Sequence, residues 1–455
     1  MPVKRLLKES SLTLAAMSLG YGVVQLDVTI VNVAVNAIGS AFHGNMAALQ
    51  WVVSSYTITF AAFILSAGAL GDRIGAKRVF VAGFALFTVA SLVCAAAPTL
   101  PILIIARAVQ GAGAAVLVPN SLALLNHAYE DSKERARAVA FWASGASFTL
   151  TLGPLVGGVL IKMFGWRSIF LVNLPLGLLG LWLTMRYAKE TPGNAVRRID
   201  LPGQITAVLA LGVLAWSLIR GGEVGWTHPQ VLLGISLAIV MAAVFIGIDH
   251  YSDHPMLPLG MFKNRTFRAS TITGVLVNIA FYGLIFVFSL YFQRAHQLSP
   301  LWTGMAFVPM TGACFIANLN IGRISARFGD RKCIVAGTAI ILVGCLAILG
   351  IGADTNYGWL LPSFILMGGG LGTMVPPLTH ALLSSVDKAR SGIASGVLTA
   401  SRQTGSVLGV SLFGSLIATA PMIVHGTRIS LAISAGVLLA SCIIELIGMA
   451  TEKNE

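Results

Sequence analysis

Apolar runs long enough to cross a lipid bilayer recur along the whole chain, and they constrain its fold more than any other feature of the sequence. A bilayer core about 30 Å thick takes about 20 apolar residues as a helix, and lipid tolerates only structures that pair their own backbone polar groups. The sequence therefore predicts an all-α membrane protein with fourteen transmembrane helices. The predicted spans lie near residues 12–34, 47–70, 79–97, 101–126, 137–161, 167–187, 200–220, 230–250, 268–292, 302–322, 333–352, 358–383, 391–419 and 429–450.

The composition agrees with a membrane location and argues against an enzyme. Only 10% of the 455 residues are charged, against about 25% in soluble globular proteins. The eight histidines are scattered, the five cysteines show no paired short spacing, and no GxxxxGK[ST] phosphate-binding motif is present. We therefore expect no metal site, no bound cofactor, no catalytic activity and no ATPase on this chain.

The lysine and arginine residues are concentrated in alternate loops. If the N-terminus lies in the cytoplasm, 23 of the 30 lysine and arginine residues fall in cytoplasmic segments and five in outer segments. Basic residues accumulate in the cytoplasmic loops of membrane proteins. The sequence therefore predicts that both termini are cytoplasmic, which accounts for the net charge of +13 without a nucleic-acid partner.

The chain contains an internal repeat. The segment GALGDRIGAKR at residues 68–78 aligns with GRISARFGDRK at residues 322–332, and Gly111 aligns with Gly368 at nearly the same spacing. Two copies of one helical unit are typical of transporters built from repeats. We expect a six-helix half, two extra central helices and a second six-helix half. Their predicted ranges are 1–190, 191–266 and 267–455.

Four charged residues lie inside the apolar runs, namely Asp27, Arg107, Arg402 and Glu445. A charge in the bilayer core costs about 2.5–3.5 kcal/mol on insertion scales, which makes each of them a candidate for function. Asp27 and Arg107 lie at similar predicted depths, about 10 Å from the outer ends of their helices. A carboxyl group that exchanges a proton beside a cation is what a proton-coupled carrier needs. Glu445 lies near the inner end of the last span, where it can snorkel to the surface.

Five further segments carry a resemblance to a known family. They are LDVTIVNVA at 26–34, GALGDRIGAKR at 68–78, RAVQGAGA at 107–114, GPLVGG at 153–158, and WR at 166–167 with NLP at 173–175. In this order, and on these spans, they resemble the major facilitator superfamily, specifically its fourteen-helix branch of drug:proton antiporters. Three positions depart from the pattern: Asn36 replaces a usual proline, Thr149 replaces a usual glycine, and the second loop copy has Ala326.

The resemblance implies a fold and a function. The fold is the major facilitator fold, with two six-helix bundles around a central cavity and two extra central helices. The function is export of lipophilic, cationic drugs in exchange for protons. The family's roles place proton coupling on Arg107, and proton or substrate binding on Asp27. Arg402, in the family-like segment SRQTG at 401–405, fits either a role in the cavity or a structural ion pair.

Two motifs predict moving parts of the transporter. Acidic and basic residues after the second span can pair with neighbouring helix ends, which we interpret as a conformational latch. The latch residues are Asp72, Arg73, Gly75 and Arg78. Glycines and a proline in the fifth span permit close packing and a bend, which we interpret as a hinge. The hinge residues are Gly153, Pro154, Gly157 and Gly158.

A cavity for bulky lipophilic cations needs aromatic and polar side chains in the spans, because cation–π contacts contribute about 0.5–2 kcal/mol. The alternative at each position is ordinary helix packing or contact with lipid. The candidates are Asn32, Tyr56, Gln110, Trp142, Phe148, Phe281, Tyr282 and Phe286.

Together these features predict a multi-pass protein of a bacterial inner (plasma) membrane that exports a small lipophilic compound in exchange for protons. We expect a monomer surrounded by lipid, with an adaptor protein as a further partner if an outer membrane must be crossed. One alternative is a proton-coupled exporter of a metabolite such as a siderophore, sugar or lipid. A non-transporting membrane scaffold is the remote alternative, because it needs no buried aspartate and arginine.

Overall fold

The N-terminal half of the protein is a bundle of long helices. The computed structural model describes residues 2–129, 131–191, 200–252, 255–387, 390–420 and 422–449, and all regular secondary structure in these ranges is helical. The helices of this half are α1 (Pro2–Phe42), α2 (Met46–Ile74), α3 (Ala76–Ala96), α4 (Leu100–Ala128), α5 (Ser132–Phe164), α6 (Ser168–Leu171) and α7 (Asn173–Tyr187).

Two helices connect this half to a second bundle. The connecting helices are α8 (Leu201–Val224) and α9 (Pro229–Tyr251). The C-terminal half consists of α10 (Arg265–Leu290), α11 (Pro300–Phe328), α12 (Asp330–Ala347), α13 (Tyr357–Ser384), α14 (Ser391–Thr419) and α15 (Ile423–Gly448). A 3₁₀ turn at Leu259–Lys263 precedes α10, and a single π-helical turn at Tyr291–Ala295 extends it.

Many of these helices are suited to a bilayer. Among the described residues, eleven helical segments are long and apolar enough to cross a membrane, with α6 and α7 forming one segment. A twelfth is α5, if its two parts, which meet at 44°, form one span. The prediction of an all-α membrane protein is confirmed, and the total of fourteen spans stays a prediction.

The first helix is longer than its apolar run predicts. α1 continues to Phe42, whose ring packs against Trp166 with the ring centres 5.4 Å apart. Asp27 therefore lies about 22 Å from the C-terminal end of α1 at 1.5 Å per residue, which places it deeper than the 10 Å expected. The apolar run ends before the helix does, because packing against Trp166, rather than hydrophobicity, extends α1 to Phe42.

The internal repeat is visible in how the helices connect. α2 and α3 are separated by one residue, Gly75, with a φ of 102°, and α11 and α12 are separated by Gly329, with a φ of 84°. Residues with a side chain rarely adopt a backbone conformation with positive φ, so glycine suits both positions. Asp72 lies in the last turn of α2 and not in a loop or at the start of a helix, which corrects that part of the latch prediction.

The same close contact between helices also occurs once in each half. A Cβ atom at Gly111 of α4 would lie 2.1 Å from the carbonyl oxygen of Tyr56 in α2. A Cβ atom at Gly368 of α13 would lie 1.7 Å from the carbonyl oxygen of Met310 in α11. Glycine is therefore required where these helix backbones touch, and the two contacts are equivalent in the repeat.

The two halves meet along two pairs of helices. One contact joins α2 to α14 and the other joins α5 to α11, here called the α2–α14 seam and the α5–α11 seam. Within the N-terminal half, α1 packs against α4, α5 and α7. α8 packs against both α2 and α14, and α9 packs against α8. The connecting helices therefore lie beside the α2–α14 seam.

One end of the bundle is closed by hydrogen bonds between the halves. This outer end contains the C-terminal end of α1 and the N-terminal end of α2, and the lysine and arginine distribution predicts it to be outside. Gln50 Nε2 donates to the Ser411 carbonyl at 2.7 Å, and Ser289 Oγ donates to the Asn32 carbonyl at 2.7 Å. In the π turn after α10, Arg294 Nε donates a further hydrogen bond to Asn36 Oδ1 of α1, at 3.2 Å.

Candidate functional site

The carboxylate of Asp27 is buried inside the N-terminal half and surrounded by hydrogen-bond donors. Its side chain is 0% exposed. Oδ2 accepts a hydrogen bond from Nη1 of Arg107 in a buried ion pair. Oδ1 accepts hydrogen bonds from Nε2 of Gln110 at 2.9 Å and from Nδ2 of Asn173 at 3.2 Å. The carboxylate therefore connects α1 to both α4 and α7.

The Arg107 guanidinium has partners on several sides. Its Nε donates to the Val52 carbonyl at 3.1 Å, and its Nη1 donates to Oε1 of Gln110 at 2.6 Å as well as to Asp27. Its Cζ lies 4.2 Å from the centre of the Tyr56 ring, which is a cation–π contact. The structure therefore brings together the aspartate and arginine that the sequence analysis had selected separately.

Two members of this cluster are absent from the sequence-predicted site. Asn173 belongs to the NLP segment of α7, and Ser91 lies on α3. Ser91 Oγ accepts hydrogen bonds from Gln110 Nε2 at 2.8 Å and from Asn173 Nδ2 at 3.3 Å. Both residues are ordinary polar residues in their own helices, and only the packing of α7 against α1 and of α3 against α4 and α7 identifies them.

Arg402 is the second arginine inside the predicted apolar spans, and its surroundings are different. It lies about 17 Å along α14, at 1.5 Å per residue, and is partly exposed. Its Nη2 donates to Oγ1 of Thr379 at 2.8 Å. Its electrostatic neighbours are Tyr21 of α1 and Tyr282 of α10. No acidic side chain pairs with it in the part of the chain that the structure describes, so a structural ion pair is not seen there.

Glu445 is fully buried rather than at the surface, which corrects the prediction that it snorkels. Its Oε1 accepts hydrogen bonds from Thr338 Oγ1 at 2.8 Å and Ser441 Oγ at 3.0 Å, with Thr273 Oγ1 at 3.4 Å. Its Oε2 has no hydrogen-bond partner among the described residues. The residue therefore forms a second buried carboxyl site, between α10, α12 and α15.

The predicted latch contacts a residue that the sequence analysis did not select. The Glu190 carboxylate accepts hydrogen bonds from the backbone N–H groups of Lys77 at 2.9 Å and Arg78 at 3.2 Å. A Cβ at Gly75 would lie 2.6 Å from Glu190 Oε1. A carboxylate at a helix N-terminus is favourable because the helix dipole is positive there. Arg73 is exposed in the last turn of α2.

The predicted hinge residues lie at contacts between helices. A Cβ at Gly153 would lie 1.9 Å from Thr29 Oγ1, and one at Gly157 would lie 2.8 Å from Ile30 Cγ1, both on α1. A Cβ at Gly158 would lie 2.6 Å from the Pro300 carbonyl oxygen on α11, in the other half. Small residues therefore let α5 approach α1 and α11 at the same time.

Pro154 explains the bend of α5. Proline lacks the N–H that would bond the carbonyl four residues earlier, which is that of Leu150. Thr29 Oγ1 of α1 lies 3.2 Å from that carbonyl oxygen and can donate to it. A Cβ at Gly304 of α11 would lie 2.3 Å from the Pro154 carbonyl oxygen, so the bend is also part of the α5–α11 seam.

Several predicted cavity residues lie in closed surroundings. Tyr56 and Gln110 belong to the cluster around Asp27. Phe281 and Phe286 are buried in the main hydrophobic core. Asn32 is buried at the outer end, where its carbonyl oxygen accepts the bond between the halves. All five are buried, and their role in a substrate cavity stays a prediction.

Of the other predicted cavity residues, Phe148 and Tyr282 lie between the halves, whereas Trp142 is buried in the N-terminal half and donates its indole N–H to Ser121 Oγ at 3.1 Å. The ring of Trp142 stacks on Tyr21 with the centres 4.4 Å apart. Phe148 is 47% exposed, and its ring centre lies 5.7 Å from that of Phe315 on α11, across the seam. Tyr282 is partly buried and packs against the core of the N-terminal half. Aromatic side chains therefore line the region where the halves face each other.

A cavity of about 500 Å³ opens at the outer end beside α8, where sequence analysis predicted nothing. Its polar lining residues include Asn45, Gln50, Glu223 and Arg294. Within it, Glu223 accepts hydrogen bonds from Asn45 Nδ2 at 3.0 Å and from Arg220 Nη1 at 2.7 Å. Glu223, the acid in this cavity, is therefore already paired with Arg220.

Known proteins resemble this chain over most of its length. The family model described as Major Facilitator Superfamily matches residues 17–410 and, in a second match, residues 271–450. The methylenomycin A resistance protein of Streptomyces coelicolor is 36% identical over 421 residues, covering 92% of this chain and 88% of that protein. The multidrug resistance protein Stp of Mycobacterium tuberculosis is 36% identical over 407 residues, covering 90% of this chain and 76% of that protein.

Solved structures share the fold at low sequence identity. A bacterial homologue of the human lysosomal transporter Spinster superimposes with a TM-score of 0.68 at 15% identity, covering 98% of this chain and 99% of that one. The human organic anion transporter MFSD10 superimposes with a TM-score of 0.65 at 15% identity, covering 96% and 99%. At this identity the likeness concerns the fold alone.

Proposed function

Because this chain belongs to the Major Facilitator Superfamily, we propose that it exports drug-like lipophilic compounds across a bacterial plasma membrane in exchange for protons. The observation that carries the proposal is the match to resistance and efflux proteins over about nine-tenths of the chain. The drug efflux pump JefA of M. tuberculosis, at 33% identity over 408 residues, agrees with it. A transporter explains the chain better than an enzyme.

The closed outer end supports transport by alternating access. The hydrogen bonds between α1, α2 and the C-terminal half lie at that end. Arg402, which is partly exposed, lies 11 residues from the N-terminal end of α14 and 17 residues from its C-terminal end, so it is nearer to the other end of the bundle. We propose that this is the state in which the interior is reached from the cytoplasm, and that transport requires these outer contacts to break.

We propose that fourteen helices span the membrane, with both termini in the cytoplasm. Two helices beyond the apolar segments described above, α12 and α14, pack inside the C-terminal half against α13 and α10 respectively. α12 begins with the charged residues Asp330, Arg331 and Lys332, which lower the hydrophobicity of a short helix. The excess of lysine and arginine on one side supports the orientation.

We propose that the Asp27–Arg107 pair couples proton movement to the rocking of the halves. Protonation of Asp27 would remove the negative charge that holds the Arg107 guanidinium. Removing one charge of a buried ion pair destabilises a protein by about 3–5 kcal/mol. The local packing of α1 and α4 would therefore change. α1 also contacts α10 and α11 of the other half. A shift of α1 can therefore reach both halves.

The test is transport of fluorescent dyes into everted membrane vesicles. We expect respiration to drive dye accumulation in vesicles containing the wild-type protein, and a protonophore to abolish it. Three dyes with one xanthene ring system are compared: fluorescein and rhodamine 110, which carry a free carboxylate, and rhodamine 123, the methyl ester of rhodamine 110. We expect Asp27→Asn to abolish proton-driven accumulation of every dye that the wild type moves, because the amide cannot exchange a proton.

The matched control is Asp354→Asn, which makes the same chemical change at an exposed position in the loop before α13. It should transport as the wild type does. Asp27→Glu, which keeps the acid, shows whether a loss in Asp27→Asn reflects chemistry or folding, with membrane levels measured for each variant. Transport that is insensitive to the protonophore and intact in Asp27→Asn would contradict the coupling proposal.

A further inference from the structure

We infer that the substrate carries an acidic group, a carboxylate or a similar oxyanion, and that this group binds to Arg402 between the two halves. The inference rests on the proposed function as an exporter and names the chemical class of its substrate. It replaces the cationic substrate expected from the sequence. Four observations carry it: the charge at Arg402, its unused hydrogen-bond donors, its aromatic neighbours and the state of the acids inside the helices.

The first observation is a positive charge without a counter-ion. Arginine keeps its charge in proteins, and a charge in the middle of a membrane helix costs about 2.5–3.5 kcal/mol on insertion scales. For Arg107, the ion pair with Asp27 offsets this free-energy cost. Arg402 has no acidic partner within the described ranges, where its side chain has one hydrogen-bond partner, the hydroxyl group of Thr379. An anionic ligand would supply the missing charge.

The second observation concerns hydrogen bonds. A guanidinium has five N–H donors in a planar arrangement that fits a carboxylate with two parallel hydrogen bonds. In the part of the chain that the structure describes, Arg402 uses one donor, towards Thr379 Oγ1 at 2.8 Å. The remaining donors are available to a ligand. The side chain is partly exposed, so a ligand can reach it without unfolding the bundle.

The third observation is the aromatic surface beside the guanidinium. Tyr21 of α1 and Tyr282 of α10, which belong to opposite halves, are the electrostatic neighbours of Arg402. The Tyr21 ring stacks on Trp142, with the centres 4.4 Å apart. A ligand with an aromatic ring could lie against these side chains while its acidic group faces Arg402. This arrangement fits a lipophilic acid better than a small inorganic anion.

The fourth observation is that the two acids inside the predicted apolar spans, Asp27 and Glu445, are not available to a cation. Asp27 is fully buried and accepts hydrogen bonds from Arg107, Gln110 and Asn173. Glu445 is fully buried between helices of the C-terminal half. Neither carboxyl group faces the region between the halves where Tyr21 and Arg402 meet. A cationic substrate at Arg402 would therefore meet a positive charge that has no acidic partner among the described residues.

The experiment compares the three xanthene dyes in the vesicle assay. Because rhodamine 110 and rhodamine 123 differ only in esterification of the carboxyl group, the ratio of their transport rates isolates recognition of the acid. We expect wild-type protein to transport fluorescein and rhodamine 110 at least about tenfold faster than rhodamine 123, as a charge-assisted hydrogen bond predicts. Arg402→Gln should remove this preference, and Arg402→Lys should retain part of it.

The control variant is Arg428→Gln, which removes an arginine that bonds the Ile351 carbonyl at 2.7 Å near the outer end. It should keep the preference for the carboxylate dyes. Each variant is also purified in detergent, and its thermal unfolding is measured. A preference lost in Arg402→Gln but kept in Arg402→Lys, at equal stability, supports recognition of the acid.

Other outcomes separate the two proposals. If the wild type moves rhodamine 123 as fast as rhodamine 110, export stands and the acidic substrate is overturned. The acidic substrate is likewise overturned, and export still stands, if Arg402→Gln slows rhodamine 110 and rhodamine 123 equally. If energised wild-type vesicles move none of the dyes, the proposed export function fails and the inference fails with it.

Discussion

Asp27 and Glu445 are both buried carboxyls, but their surroundings differ. Asp27 is paired with Arg107 and also receives two amide hydrogen bonds. Glu445 receives hydrogen bonds from the hydroxyl groups of Thr338 and Ser441, without a cation among the described residues. Neutralising Asp27 should therefore destabilise the protein far more than neutralising Glu445. Only the loss of the Asp27 charge leaves a buried arginine without its ion pair.

This contrast gives a prediction for Glu445. Glu445→Gln should change the free energy of unfolding by less than about 1 kcal/mol, because the amide oxygen still accepts the hydrogen bonds of Thr338 and Ser441. Glu445→Leu should destabilise the protein by about 1–3 kcal/mol, because these buried hydroxyls lose their acceptor. Thermal unfolding of the purified variants in detergent measures both. Equal destabilisation by Gln and Leu would show that the charge, and not hydrogen bonding, stabilises this site.

The candidate site was only partly predictable at the level of single residues. Asp27 and Arg107 could be selected because charged residues inside apolar runs are rare and costly. Asn173 and Ser91 could not be assigned to the cluster, because nothing in their local sequence shows that α7 packs against α1, and α3 against α4 and α7, at these positions. Similarly, Glu190 follows α7 in the chain, and only the folded structure places it at the start of α3.

Among the helices, α5 has the most demanding contacts. It packs against α1 in its own half and against α11 in the other, and it bends by 44° in between. Pro154 releases the Leu150 carbonyl, and the hydroxyl of Thr29 on α1 lies within donating distance of it. The bend is therefore held by a neighbouring helix, so a change at this contact should affect both the stability and the movement of the bundle.

The contact between α1 and α5 can be tested with two glycine substitutions on α5. Gly153→Ala places a Cβ 1.9 Å from Thr29 Oγ1, and we expect a loss of about 1–3 kcal/mol in stability from overpacking. Gly145→Ala is the matched control, because the nearest atom to its Cβ is Ser18 Cβ at 4.0 Å. Thermal unfolding and dye transport are measured for both. Equal behaviour of the two variants would mean that α1 and α5 separate easily, and the hinge interpretation would be wrong.

The positions of the helices were more predictable than their ends. Apolar runs predict helices in lipid because no other local structure pairs all backbone groups, and every predicted span except the first begins and ends within six residues of the described helices, with α6 and α7 sharing one span. The end of α1 was missed because packing extends it to Phe42. The last turn of α2 was assigned to a loop, although Gly75 alone is enough to reverse the chain there.

At the scale of the whole molecule, the two halves are joined most firmly at the outer end. Gln50 reaches from α2 to the backbone of α14, and the Oγ atoms of Ser54 and Ser411 lie 3.4 Å apart in the same seam. Gly158 and Gly304 bring α5 and α11 into backbone contact in the other seam. Opening this end requires these polar and close-packed contacts to separate together, which favours a movement of rigid halves.

A disulfide across the outer end should therefore stop transport. The double variant Ser54→Cys/Ser411→Cys should lose dye accumulation under oxidising conditions and regain it on reduction, because the covalent bond prevents separation of α2 from α14. Transport in everted vesicles is measured before and after addition of dithiothreitol. The single variant Ser54→Cys serves as the control and should be insensitive to the redox conditions. Full transport by the cross-linked protein would show that the outer contacts stay intact during the cycle.

Because of the position of α8, the α2–α14 seam and the α5–α11 seam differ in how directly they face the bilayer. α8 packs against α2 and α14 at once, and α9 packs against α8. Lipid tails on that side meet this helical pair before they meet the seam. A compound dissolved in the membrane therefore has more direct lateral access on the opposite side, between α5 and α11, where the rings of Phe148 and Phe315 lie close together. Hydrophobic compounds would then enter from the lipid through one side wall of the protein.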